Sequence, residues 1–131
     1  MAMITSSRIL SLLLLGLTLA MSAHSVARDV PYVAAFTPVN SNAAPDSGTM
    51  KLNFNHGIIS GTYTDTSIKP GAPLYNRRNV PVSGGVDSSG RANLIIGPLS
   101  FRGTLEGPLF SGTATVHGRR YTFKAHQGTP G

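Results

Sequence analysis

LSFRGTLEGPLFSGTATVHGRRYTFKA, residues 99–125, shows the character of this chain most plainly. Its apolar residues fall at every second place: Leu99, Phe101 and Leu105, then Phe110, Ala114 and Val116, then Tyr121, Phe123 and Ala125. Side chains two apart share one face of an extended strand, so this spacing predicts three half-buried β-strands. Glu106-Gly107-Pro108 and His117-Gly118 interrupt the runs with residues suited to tight turns. The stretch therefore reads as a three-stranded antiparallel meander.

Toward the N-terminus the same period recurs. Arg91 to Ile96 places Ala92, Leu94 and Ile96 on one side, behind a turn at Asp87-Ser88-Ser89-Gly90. Val80 to Val86 alternates through Val80, Val82 and Gly84, with Pro81 suited to an edge or an irregular start. Thr49 to Phe54 and Ile58 to Thr64 form a hairpin around Asn55-His56-Gly57, whose residues accept the positive φ of a two-residue turn. Pro31 to Phe36 adds a first or edge strand, and either it or Val80 to Val86 is a candidate open edge for pairing with another chain.

Pro38 to Gly48 (PVNSNAAPDSG) has the residues of a flexible linker, Asp65 to Asn79 (DTSIKPGAPLYNRRN) those of a long loop, and 127–131 those of a disordered tail. The antiparallel domain is thus expected over 49–126, preceded by an edge strand and linker over 28–48. No window beyond the leader has the i, i+3, i+4 apolar spacing of an amphipathic helix, so the domain is expected to be all-β.

Gly61, Gly84, Gly103 and Gly112 all fall on the inward face of their strands. Glycine within a strand marks a bend or a close backbone approach, and four of them predict a sheet that coils strongly. The expected architecture is a small up-and-down meander closing towards a seven- or eight-stranded barrel; the alternative is a two-sheet β-sandwich. Its interior would hold Phe54, Ile59, Tyr63, Leu94, Phe101, Phe110, Tyr121 and Phe123, with the tyrosine hydroxyls the sole polar groups inside. Space left by the glycines would be an apolar cavity.

The leader has its own signature. A short start containing Arg8 precedes an uncharged apolar run from Ile9 to Ala20, and Ser25 and Ala27 supply small residues at the positions a signal peptidase reads. Residues 1–27 are expected to be a signal peptide cleaved after Ala27, with Ala23 the second choice. The apolar run is about a dozen residues, short of the roughly 20 that span a bilayer. Export to the periplasm or the medium is the expected localisation, with no transmembrane segment after cleavage.

The chain has no cysteine. This excludes disulfides, a thiolate nucleophile and lipid attachment through cysteine, and an exported domain of this kind must hold together by packing. There are 11 Lys and Arg against 5 Asp and Glu, a net charge of +6, and only Arg8 of these falls in the leader. The excess favours anionic partners and also serves solubility.

If the strands run up and down in order, Lys69, Arg77, Arg78, His117, Arg119 and Arg120 collect on loops at one end, with only Asp65 opposing them. Arginines on one rim can hold sulfate, phosphate or carboxylate by bidentate hydrogen bonds. Tyr75 is the one aromatic beside them, too few for the stacked-base pattern of single-stranded nucleic acid. His56, Asp87, Glu106 and His126 would meet at the other end, but no histidine pair has metal-ligand spacing, and neither a metal nor a cofactor is expected.

No nucleophile, base and acid converge in this reading. The expected function is a non-enzymatic exported binding or accessory domain whose basic rim contacts an anionic polysaccharide, a lipid headgroup or an acidic protein. Alternatives are a carrier of a small apolar ligand inside the barrel and an inhibitor of a secreted enzyme acting through the 65–79 loop. Oligomeric state is not encoded in these features.

Overall fold

A computed structural model describes residues 28–40, 42 and 44–130. The expected signal peptide over 1–27 lies outside the described residues. Eight strands follow in order: β1 (Val30–Pro38), β2 (Asp46–Asn55), β3 (Ile58–Asp65), β4 (Val80–Val86), β5 (Arg91–Ile96), β6 (Leu99–Glu106), β7 (Leu109–Val116) and β8 (Arg119–Gln127). Each pairs antiparallel with its neighbours in sequence, and β1 also pairs with β8, so the sheet is a closed barrel. The described residues include no helix.

Alternation sets the inside of this barrel. Along β5 the burial runs exposed, buried, exposed, buried, exposed, buried, with Ala92, Leu94 and Ile96 inward. Of the eight residues expected inside, seven are buried; Phe54, near its strand's end, is half-buried and packs against the core. Aromatic rings fill the middle. Phe123 stacks on Phe36 at 4.9 Å between centroids and meets Phe101 at 4.5 Å, while Phe110 lies 6.0 Å from Phe101 and 5.2 Å from Tyr32. Eight strands leave an interior that side chains just fill.

The two hairpins built on histidine and glycine have positive φ at both turn residues, 53° and 83° at His56-Gly57 and 49° and 76° at His117-Gly118. That twist matches the flanking strands.

Several expectations need correction. β1 is not an edge strand: it is paired on both sides, with Phe36 opposite Asp46 of β2 and opposite Phe123 of β8. Nor is β4 an open edge, since β3 and β5 flank it. The expected linker ends early, because Asp46-Ser47-Gly48 is already strand. At the other terminus Gln127 closes β8, and the Gly128 amide donates to the Pro31 carbonyl at 2.9 Å.

The inward glycines leave no room for a side chain, and the open cleft that Gly103 borders, about 710 Å³, lies beside the polar Asp87, Arg91, Asn93 and Arg102 and not among the core rings. Gly103 and Gly112 face each other across β6 and β7, and a Cβ on Gly112 would stand 2.6 Å from the Gly103 Cα. Backbone occupies the space that side chains vacate, which is how the sheet coils tightly enough to close.

Candidate functional site

An up-and-down chain delivers alternate connections to the same end. One end receives the β1–β2 connection, the 66–79 loop, the β5–β6 turn and the β7–β8 turn; the other receives the β2–β3, β4–β5 and β6–β7 turns. Lys69, Arg77, Arg78, His117, Arg119 and Arg120 all lie at the first end and are all exposed. Asp29, Asp87 and Glu106 lie at or near the second.

The loop brings these cations nearer than the topology alone requires. Gly71 and Pro73 line a cleft of about 200 Å³ with Val116, His117, Arg119 and Tyr121, so the loop crosses the barrel mouth to reach the β7–β8 turn. Arg77 Nη1 is 3.7 Å from where a Cβ on Gly97 would stand, which puts that guanidinium beside the β5–β6 turn. Lys69 edges a second cleft, of about 520 Å³, against Ala35, Phe36, Thr37 and Ile68. On the β8–β1 side the Val39 amide donates to the Arg120 carbonyl at 3.0 Å. The cations thus ring the mouth rather than share one pocket.

Beneath them lies a group of polar residues whose role has no counterpart in the sequence reading. Asp46, only 3% exposed, accepts from the Leu74 amide through Oδ2 at 2.6 Å and from Ser67 Oγ through Oδ1 at 3.0 Å. Asp65 accepts from Tyr63 Oη at 2.9 Å, from Ser67 Oγ at 2.6 Å and from the Asn76 amide at 3.1 Å. The Asp65 amide in turn donates to the Arg77 carbonyl at 2.8 Å. These bonds hold the loop down as a lid, with Leu74 fully buried and Ala72 nearly so.

The interior is therefore not polar at its tyrosines alone, as expected, but also at Asp46. A signal for this was present. Asp46 and Gly48 continue inward the row of Met50 and Leu52, and all four are buried.

Burial, with the Asp65 carboxylate beside it, pushes Asp46 up to about 6, although the Leu74 amide and Ser67 oppose the shift. Burial and the same two carboxylates push the Tyr63 hydroxyl well above the ordinary tyrosine range, so it remains a donor. A carboxyl with a raised pKa beside a second carboxylate can serve acid–base chemistry. Here their oxygens are engaged by the chain's own amides and hydroxyls, and the lid covers them.

At the opposite end Asp87 holds its own turn, accepting from Ser89 Oγ at 2.6 Å and from the Arg91 amide at 3.0 Å; these bonds lower its pKa. His56 Nδ1 pairs with Asn55 Oδ1 at 2.6 Å. Among the described residues no three His, Cys, Asp or Glu side chains are grouped to hold a metal.

Fold and mouth together define the class: a closed eight-stranded up-and-down β-barrel, capped by a pinned loop at its cationic end. Compared with known proteins, the chain matches no family model, no curated protein and no solved structure.

Proposed function

We propose that this chain is an exported, non-enzymatic binding domain that engages an anionic partner, whether a polysaccharide, a lipid headgroup or an acidic protein, through the ring of cations at the barrel mouth. One observation carries the reading. The mouth exposes Lys69, Arg77, Arg78, Arg119 and Arg120, while Asp46 and Asp65, the acidic residues at that end, are hydrogen-bonded beneath the lid. A field of one sign on one end attracts and orients an anion, and guanidinium groups bind its oxygens in pairs.

The rival readings have less support. A carrier needs space among the rings of Phe36, Phe101, Phe110 and Phe123, which are packed in contact. An inhibitory loop needs a backbone free to enter another protein's cleft, whereas 66–79 is pinned to the barrel mouth through Asp46 and Asp65 with Leu74 buried.

Retention on a heparin column at low salt tests the proposal. Arg77→Ala combined with Arg119→Ala is expected to move elution to clearly lower salt, since each cation that meets an anionic surface adds roughly 1 kcal/mol. Unchanged elution of the double variant contradicts it.

A further inference from the structure

Exposed apolar side chains share the mouth with the cations. Among the described residues the large exposed apolar side chains are Val39, Ile58, Ile68, Tyr75 and Ile95. Val39, Ile68 and Tyr75 stand at the cationic end, and Ile68, 89% exposed, is the most exposed of all. Ile68 immediately precedes Lys69, and Tyr75 lies two residues before Arg77. Among the described residues almost nothing covers this isoleucine. A soluble polyanion does not cover it either.

We infer that the mouth docks on an anionic bilayer surface, with Ile68 and Tyr75 entering the interface while Lys69, Arg77, Arg78 and Arg119 face lipid phosphates. The inference rests on the cationic-mouth reading above and names its partner. Four features favour this occupant. Apolar side chains flanked by Lys and Arg suit the boundary between acyl chains and headgroups, and tyrosine prefers that depth. The lid is already fastened through Asp46, Asp65 and Ser67, so Ile68 is presented on an ordered segment and little ordering is needed on binding.

The outer wall bears Lys51, Ser60, Arg102, Thr113 and Lys124, all exposed, with Ile58 and Ile95 as its large exposed apolar side chains, around an interior that is apolar apart from Asp46 and the tyrosine hydroxyls. This is the inverse of a bilayer-spanning barrel, whose lipid-facing wall is apolar, so contact with lipid is confined to an end. Finally, Asp29, Asp87 and Glu106 offset Arg28 and Arg91 at the far end, so the excess positive charge lies toward the mouth and turns it to a negative surface.

Co-sedimentation with vesicles, read beside heparin retention, tests the inference. The chain from Arg28 is used, because it holds every strand of the closed barrel, and thermal melting confirms that each variant folds. Binding to phosphatidylcholine–phosphatidylglycerol vesicles, and little to phosphatidylcholine alone, is expected. Ile68→Ser is expected to weaken vesicle binding about tenfold, in line with the transfer of one large aliphatic side chain, and to leave heparin retention unchanged. Arg77→Gln with Arg119→Gln is expected to reduce both.

Vesicle binding by Ile68→Ser equal to the parent's, or equal binding to the two vesicle types, overturns the membrane inference. If heparin is retained while vesicles are not bound, the membrane inference falls and the cationic-mouth reading stands. Binding to neither heparin nor vesicles overturns both.

Discussion

Gly112 shows at the scale of one residue how the barrel closes. Its Cα faces that of Gly103, and a Cβ there would meet the Arg102 carbonyl and the Gly103 Cα, both backbone atoms in a paired strand. Backbone of this kind cannot move aside without breaking ladder hydrogen bonds. Gly112→Ala should therefore cost about 3 kcal/mol, the upper range for overpacking. Gly118, at φ 76° with nothing within 4 Å, is a control in which only the left-handed backbone is strained. Gly118→Ala should cost about 1 kcal/mol. Urea unfolding of both variants checks the order; a milder loss at Gly112 than at Gly118 would show that the strands are not so tightly apposed. The inward placement of these glycines was legible from alternation. What fills the space beside them was not, because it depends on the backbone of another strand.

The 66–79 loop belongs to the scale of the element. Its composition, with Pro70, Gly71 and Pro73, marks a loop and says nothing of where it lies. What folds it across the mouth is long-range: Asp46, in the Pro38 to Gly48 segment that reads as a flexible linker, becomes strand by pairing with Phe36 and then accepts the Leu74 amide. Residue type alone does not reveal such a partner 28 positions away.

The lid makes a pH prediction. The folded pKa of Asp46, about 6, lies above the ordinary 3.8, so the folded state binds the extra proton in this window. The stability it contributes is fully present below about 3.8 and is lost as pH rises through about 6. Asp87, whose pKa is lowered, acts in the opposite sense and at more acid pH. Asp46→Asn keeps an acceptor for the Leu74 amide without the charge. Its thermal midpoint should fall less than the parent's between pH 4 and pH 7, and an equal fall in both proteins would remove Asp46 as the cause.

At the scale of the whole molecule, the chain order and the two ends carry the account. Seven strands were readable from alternation, since each period-two run is local. Barrel and sandwich share that alternation, so the choice between them was not readable from it. The β1–β8 pairing decides it, through Ala34 opposite Ala125 and Phe36 opposite Phe123, and those partners lie at the two extremes of the folded chain. The convergence of cations at one end was legible, because it follows from counting strands. The carboxylates fastened below them were not.

The proposed function requires that this end, and no other surface, meet the anionic partner. It is tested most directly by following backbone amide resonances of the folded barrel while a heparin-derived oligosaccharide is added. The largest shifts are expected to cluster at residues 68–78 and 117–120. Shifts centred on His56, Asp87 and Glu106 at the other end, or spread along the outer wall, would contradict it.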